Sequence, residues 1–267
     1  MNISMGFSPC PNDTFMFNDV AANALAAKDF RFDVHLHDVE TLNELAFAQR
    51  YDLTKVSAAA ALQLQDHYQF CNAGAALGFG CGPLVVTRKS MNRKDLAKAR
   101  VAIPGKWTTA FLLFQLWEPS PVSTLFMPYD RIIEAVSSGE ADVGILIHES
   151  RFVLENAGLL QMIDLGAWWE SETGLPIPLG CVMARQSLGP TVIAELDRLL
   201  ARCIAHSRAE PQGTMTYVQR HAIELDEDVV RRHIALYVTD FSVDMGETGK
   251  QALTALEKMA RAAGVIT

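Results

Sequence analysis

Short strand-like segments alternate with helix-like segments along most of the chain, and this alternation is typical of an α/β protein. Four strand-like segments, at residues 3–7, 51–56, 101–103 and 143–147, are followed at once by polar residues. In open α/β sheets, ligands bind beyond the carboxyl ends of the strands. We therefore expect the polar loops after these four segments to face a ligand cleft.

The first of these loops, at residues 8–14, contains two prolines and leads into a helix predicted at residues 14–27. Because proline disfavours helical backbone at the residue before it, we expect the loop itself to be non-helical. Asn12 or Asp13 is then the expected N-cap of the helix. The N-terminus of this helix is predicted to point at the cleft.

A glycine-rich stretch between Gly74 and Gly82 divides the pattern, and glycines at this density suit chain turning rather than an element interior. We interpret the stretch as the hinge where the chain leaves its first lobe. A strand predicted at residues 180–184 brings the chain back. The predicted division is a larger α/β lobe of residues 1–84 and 185–267, and a smaller α/β lobe of residues 85–184.

From Pro190 onward the pattern is helical, with helices predicted at about residues 191–209, 212–221, 227–237 and 246–263. These helices are expected to cover the first lobe. Three histidines lie on them and are expected at the protein surface: His206, His221 and His233.

Composition excludes several classes of partner. The 267 residues are 49% hydrophobic and 20% charged, as in folded globular proteins, and the formal net charge of −8 argues against nucleic acid. We find no run of 18 apolar residues that predicts a membrane span, and no signal-peptide pattern. The five cysteines form an odd, scattered set without a C-x-x-C motif, which indicates free thiols. We expect a cytoplasmic protein with a small-molecule ligand.

The most informative polar residue is His148, which directly follows the apolar run Val143 to Ile147. A histidine at the end of a buried strand is held rigidly, faces the predicted cleft, and titrates near neutral pH. A structural, hydrogen-bonded histidine is the alternative. A zincin site is excluded because Phe152 stands where the second histidine belongs, and no Gly-x-Ser-x-Gly motif supplies a serine nucleophile.

Two other loops carry groups that suit an anion. Lys55, Val56 and Ser57 end one predicted strand, and Ser57 is positioned to cap the helix that follows. After the strand at 101–103, Thr108 and Thr109 precede another helix. The Gly105-Lys106 pair is not a Walker A loop, since the earlier glycine it requires is absent. Hydroxyls and amides here suit a carboxylate, although simple N-capping by Thr108 explains the same residues.

Several motifs together resemble those of the 1,4-dihydroxy-6-naphthoate synthase family of the futalosine route of menaquinone biosynthesis. They are Ser-Pro-Cys-Pro-Asn-Asp-Thr-Phe at 8–15, Asp-Val-Glu-Thr-Leu-Asn at 38–43, Pro-Gly-Lys-Trp-Thr-Thr at 104–109 and Ile-His-Glu-Ser-Arg-Phe at 147–152. The resemblance covers essentially the whole chain.

The resemblance implies a fold similar to type II periplasmic binding proteins, with two α/β lobes and a ligand cleft between them. It also implies a carbon–carbon lyase that cleaves cyclic dehypoxanthinylfutalosine, a carboxylate, to 1,4-dihydroxy-6-naphthoate and dihydroxyacetone without a metal or organic cofactor. The catalytic histidine of the family falls on His148. Its substrate contacts fall on the following residues: Asn43, Lys55, Val56, Ser57, Thr109 and Ala110.

Two alternatives remain open at the level of sequence. One is a cytoplasmic solute-binding protein, because the same fold hosts many such proteins. The other is a chorismate dehydratase-like enzyme, which is expected to share the fold but not the Ser-Pro-Cys-Pro-Asn-Asp loop. A titratable base aimed at the cleft favours an enzyme.

Overall fold

A computed structural model describes residues 1–24, 30–152, 154, 157–222 and 226–266. Its strands form two sheets, and the polypeptide crosses between the sheets twice. The strands are β1 (Asn2–Phe7), β2 (Arg31–Leu36), β3 (Leu53–Ser57), β4 (Tyr68–Phe70), β5 (Ala76–Gly78), β6 (Leu84–Thr87), β7 (Arg100–Ile103), β8 (Ser123–Phe126), β9 (Val143–Leu146), β10 (Leu160–Asp164) and β11 (Ile177–Arg185).

The first sheet has the strand order β2-β1-β3-β11-β4, with β5 also paired to β11. Strand β1 runs parallel to β2 and β3, whereas β11 is antiparallel to β3, β4 and β5. The long strand β11 therefore returns the chain to this sheet, as the sequence predicted. The parallel strands β1 and β3 end at the same edge, where Ser8 and Ser57 lie.

The second sheet has the order β10-β6-β9-β7-β8. Strand β7 runs parallel to β8 and β9, and β6 is antiparallel to both β9 and β10. All four residues of β9 are buried, in agreement with the prediction of a buried strand before His148. The predicted lobe boundaries stay a prediction; β6 and β10 lie in the second sheet, and β11 lies in the first.

Helices cover both sheets. They are α1 (Pro11–Ala21), α2 (Val39–Phe47), α3 (Ala58–Ala61), α4 (Thr109–Trp117), α5 (Ile132–Ser138), α6 (Leu165–Thr173), α7 (Pro190–Ala209), α8 (Pro211–His221), α9 (Glu227–Tyr237), α10 (Asp240–Val243) and α11 (Gly246–Ala262). Buried side chains of α1 and α7 pack with those of β1 in one apolar cluster. The helical C-terminal region thus covers the first sheet, as predicted.

The start of α1 differs from the sequence prediction. The helix begins at Pro11, and Asn12 and Asp13 are its next residues rather than its N-cap. Proline is compatible with the first helical position, because the amide that it lacks has no partner within the helix there. The predicted end of this helix near Ala27 lies outside the described residues. The earlier start turns Asn12 and Asp13 inward, and both side chains are buried.

The expectation that three C-terminal histidines lie at the surface is wrong for His233. His233 is fully buried, on the same face of α9 as Val229 and Tyr237, which are also buried. These three residues recur at intervals of four, so the apolar stripe of the amphipathic helix includes the histidine. A buried histidine needs a polar partner, and the Asn12 side chain supplies one.

Candidate active site

The loops at the carboxyl ends of β1, β3, β7 and β9 surround one cavity between the two sheets. The residues that line it are Ser8, Asn12, Asp13, Val39, Leu42, Lys55, Val56, Ser57, Ala76, Cys81, Pro83, Thr108, Thr109, Ala110, Ile147, His148, Leu179, Gly180 and Tyr237. Most of this wall is apolar, and a few polar groups converge within it, as in small-molecule sites. Six of the seven predicted site residues are present; the seventh, Asn43, lies behind the wall.

His148 lies two residues beyond β9 and begins a 3₁₀ helix, His148–Phe152. Its backbone φ is +54°, in the left-handed region that residues with a Cβ seldom adopt. A conformation of this kind costs of order 1 kcal/mol and persists only where neighbouring structure holds it. The imidazole packs against the ring of Tyr129, with 5.0 Å between centroids, and is half-buried beside the cavity.

Lys55 and Asp13 form a buried ion pair in the cavity wall. The Lys55 Nζ lies 3.6 Å from the Asp13 Oδ1 and also donates to the Gly74 carbonyl. The Asp13 carboxylate accepts hydrogen bonds from the Ser8 hydroxyl at 2.7 Å and from the Asn12 side-chain amide at 2.9 Å. The charge of Lys55 is therefore already balanced within the protein, and a substrate anion meets a nearly neutral pair.

Asn43 positions the end of β3 from behind. Its Oδ1 accepts a 2.9 Å hydrogen bond from the Ser57 amide, and its Nδ2 donates to the Ser57 hydroxyl and to Glu40, both at 3.1 Å. Burial raises the pKa of the Glu40 carboxyl, although the hydrogen bond from Asn43 and those from the backbone of Trp107 and Lys106 oppose the shift. The Trp107 amide donates to Glu40 at 3.0 Å, which joins α2 to the loop before α4.

Thr108 and Thr109 make different hydrogen bonds at the start of α4. Thr108 caps the helix, as predicted, by accepting from the Phe111 amide. The Thr109 hydroxyl donates to the Leu179 carbonyl at 2.8 Å and accepts from the Ala59 amide at 3.2 Å. It thereby ties α4 to α3 and β11 of the first sheet. Ala110 follows in the first turn of α4, where backbone amides and the helix dipole favour an anion.

Sequence reasoning missed a polar contact beside His148. The Nε2 atom of buried His233 lies 2.9 Å from the Asn12 Oδ1, and the His233 ring is stacked near the His148 ring, with centroids 6.1 Å apart at 13°. Burial, and then the neighbouring His148, lowers the pKa of His233 well below its ordinary value. The four-residue spacing of buried positions on α9 was the signal that could have located His233.

Other candidate groups contribute less. Cys81 lines the cavity, but burial raises the pKa of its thiol to about 12, so it is not a thiolate near neutral pH. Trp169 is fully buried and donates to the Pro176 carbonyl, and neither it nor Trp168 lines the cavity. Within the described residues, no three His, Cys, Asp or Glu side chains are grouped to hold a metal ion, and no helix is long and apolar enough to cross a membrane.

Solved structures of similar shape show the fold. A crystal structure of a protein from Archaeoglobus fulgidus superposes with a TM-score of 0.93 at 35% identity, covering 99% of this chain and 98% of the other. The alkanesulfonate-binding protein SsuA of Xanthomonas axonopodis, bound to MOPS, gives a TM-score of 0.73 at 13% identity, with coverage of 100% and 94%. The predicted periplasmic-binding-protein-like fold is thereby confirmed.

Two relatives have the printed name 1,4-dihydroxy-6-naphtoate synthase. The protein from Thermus thermophilus is 43% identical over 263 residues, which cover 98% of this chain and 95% of the relative. The protein from Streptomyces coelicolor is 38% identical over 269 residues, with coverage of 99% and 94%. Residues 3–262 match the model of a family described as menaquinone biosynthesis. The chain therefore belongs to this menaquinone biosynthesis family.

Proposed function

We propose that the protein converts cyclic dehypoxanthinylfutalosine to 1,4-dihydroxy-6-naphthoate and dihydroxyacetone, with His148 as the general base. The observation that carries the proposal is the position of His148, which is held at the end of a buried strand beside a largely apolar cavity. The names of the two relatives that match nearly the whole chain support the same activity.

Cleavage of a carbon–carbon bond beside a hydroxyl needs a base for the hydroxyl proton and a place for the bonding electrons. In this substrate the electrons flow into a ring that becomes aromatic, so the protein has only to remove the proton and orient the bond. An unprotonated imidazole suits this task near neutral pH and contributes a rate gain of about 10²–10⁴-fold. The apolar wall, including Leu42, Ile147 and Leu179, suits the ring system and excludes water.

The substrate carboxylate is assigned to the first turn of α4. Thr109 and Ala110 lie there, and the ion pair of Lys55 with Asp13 leaves no net positive charge to compete for the anion. The Ser57 hydroxyl, fixed by Asn43, is available to a hydroxyl of the sugar-derived part. These contacts would direct the scissile bond towards His148, and such orientation is itself a major source of rate.

The reaction as proposed uses no metal ion or organic cofactor and takes place in the cytoplasm. Proton removal and electron flow into an aromatic ring do not require an oxidant or a Lewis acid. All five cysteines are reduced rather than disulfide-bonded, which suits a reducing compartment. Small molecules, rather than nucleic acid, are the partners that this acidic chain and its apolar cavity favour.

The direct test is to incubate the purified protein with cyclic dehypoxanthinylfutalosine and to detect the naphthoate by its fluorescence and mass. The expected result is product formation at the same rate with and without EDTA. Chorismate is tested in parallel. Tight binding of the futalosine derivative without turnover would favour a solute-binding protein, and dehydration of chorismate would favour the dehydratase-like alternative. Loss of activity with EDTA that added metal restores would contradict the cofactor-free reaction.

A further inference from the structure

A chain of buried polar side chains leads from one wall of the cavity to the ring of His148. Lys55 pairs with Asp13, whose Oδ1 accepts from the Asn12 Nδ2 at 2.9 Å, and the Asn12 Oδ1 lies 2.9 Å from the His233 Nε2. Each of these four residues, Lys55, Asp13, Asn12 and His233, is less than a tenth exposed. The chain ends where the His233 ring stacks near His148.

The hydrogen bonds of Asn12 decide which nitrogen of His233 carries a proton. Because the Asn12 amide group donates to Asp13, its oxygen faces His233 and can only accept. The Nε2 of His233 must therefore be the donor. Burial and the adjacent His148 lower the pKa of His233 well below its ordinary value, so the ring is neutral and holds the Nε2–H tautomer.

His148 needs external support, since its backbone φ of +54° is unfavourable for a residue with a Cβ. Two rings hold the imidazole: Tyr129 of the second-sheet side at 5.0 Å and His233 of α9 at 6.1 Å. Helix α9 also contacts the same 3₁₀ helix through the Arg232 guanidinium, which lies 5.0 Å from the Phe152 ring centre. His148 is thus held between the two halves of the molecule.

We propose that His233 is a positioning residue for His148: its uncharged ring, fixed by Asn12, keeps the His148 imidazole in its orientation towards the cavity. This inference rests on the proposed function of His148 as the base. It assigns to α9 and to the Asn12-Asp13 pair a part in the reaction without substrate contact by His233.

The groups that face His233 agree with an uncharged ring. From α1 it meets the neutral amide of Asn12, from the 3₁₀ helix it meets His148, and from its own helix it meets the Tyr237 ring at 4.6 Å. The ion pair of Asp13 with Lys55 is separated from the His233 ring by Asn12 and is balanced. A positive charge on His233 would repel a proton on His148.

Two substitutions distinguish the contribution of the His233 ring from that of its hydrogen bond to Asn12. His233→Phe keeps a flat ring beside His148 but loses the donor, and His233→Gln keeps a donor for Asn12 but loses the ring. We expect His233→Phe, which keeps the ring but loses its hydrogen bond to Asn12, to lower kcat by less than about 10-fold, and His233→Gln to lower kcat by about 10- to 100-fold with KM nearly unchanged. The control is His206→Gln, which removes a half-exposed histidine outside the cavity lining.

Parent kcat in His233→Gln would overturn the proposal, and so would an equal loss of kcat in both variants, since the ring would then not be the important feature. A ¹⁵N NMR titration of the parent protein tests it without any variant's activity. The His233 signals, identified by their absence in His233→Gln, should show the Nε2–H tautomer and a titration midpoint below the ordinary histidine value of about 6.5. A titration midpoint at or above the ordinary value, or the Nδ1–H tautomer, would overturn the proposal even if neither variant is active.

The failure of this inference is distinguishable from failure of the proposed function. His148→Asn is assayed beside the two His233 variants with the same substrate. Inactive His148→Asn together with unaffected His233→Gln would overturn only the positioning role. Near-parent activity in His148→Asn would overturn the general base itself, and with it the basis for positioning.

Discussion

Replacing Asp13 with asparagine should lower the stability of the protein far more than the small change in side-chain shape suggests. The Asp13 Oδ1 lies 3.6 Å from the Lys55 Nζ, and both side chains are buried. At an effective dielectric constant of about 20, charges at this distance attract by about 5 kcal/mol. Asparagine leaves the ammonium without a counter-charge, and removing one partner of a buried pair costs about 3–5 kcal/mol.

Urea unfolding followed by circular dichroism measures this loss. We expect Asp13→Asn to lower the free energy of unfolding by about 3–5 kcal/mol, a large part of the 5–15 kcal/mol that is typical of folded domains. Asp13→Asn combined with Lys55→Met should recover most of the loss, because an apolar replacement of a whole buried pair is often neutral. Asp33→Asn is the control, since Asp33 pairs with a histidine at the surface.

Unfolding of Asp13→Asn at the parent's urea concentration would contradict a buried, charged Lys55–Asp13 pair. So would a double variant that lost at least as much stability as Asp13→Asn alone. Either result would mean that Lys55 is neutral in the folded protein or is well solvated. The substrate anion would then have a positive group in the cavity wall to contact, and the assignment of the carboxylate to α4 would need revision.

Two further predictions follow from the polar contacts at the site. Thr109→Val removes the hydroxyl that bridges Leu179 and Ala59, so it should lower the free energy of unfolding by about 1–3 kcal/mol and raise KM. Thr109→Ser keeps the hydroxyl and should resemble the parent. Equal behaviour of the two variants in urea unfolding and in kinetics would contradict this prediction. Because the pKa of buried His233 is lowered, the unfolded chain binds a proton below about pH 6.5 that the folded protein does not, and stability should fall with decreasing pH by at most on the order of 1 kcal/mol per pH unit. Urea unfolding between about pH 7.5 and 5.5 should show this slope in the parent and a smaller one in His233→Phe, and equal slopes would count against it.

The polar loops at strand ends were predictable because two simple rules act together. Buried strands appear as short apolar runs, and parallel strands bring their carboxyl ends to one edge of a sheet. These rules placed His148, Ser57 and Thr109 near one cleft from sequence alone. They did not place Asn43, whose amide lies behind the cavity wall and fixes Ser57 instead of lining the site.

The contacts that sequence reasoning missed are those between distant segments. Asn12 and His233 are 221 positions apart, and no local pattern reports that an amide on α1 meets an imidazole on α9. Because the prolines of the first loop were interpreted as helix breakers, Asn12 was predicted as an N-cap beside the cleft, whereas it lies inside α1, which begins at Pro11. His233 was predicted at the surface because polar residues are usually exposed, although the four-residue spacing of apolar positions on α9 indicated burial.

In the proposed reaction His148 removes a proton from the substrate, and the steady-state kinetics of His148→Asn measure this role. Asparagine accepts the left-handed backbone of this position well, so the variant should keep the parent's melting temperature. It cannot take a proton near neutral pH, and kcat should fall by about 10²–10⁴-fold while KM changes little. A melting temperature clearly below the parent's, together with an almost unchanged kcat, would contradict this role and would make His148 a structural residue.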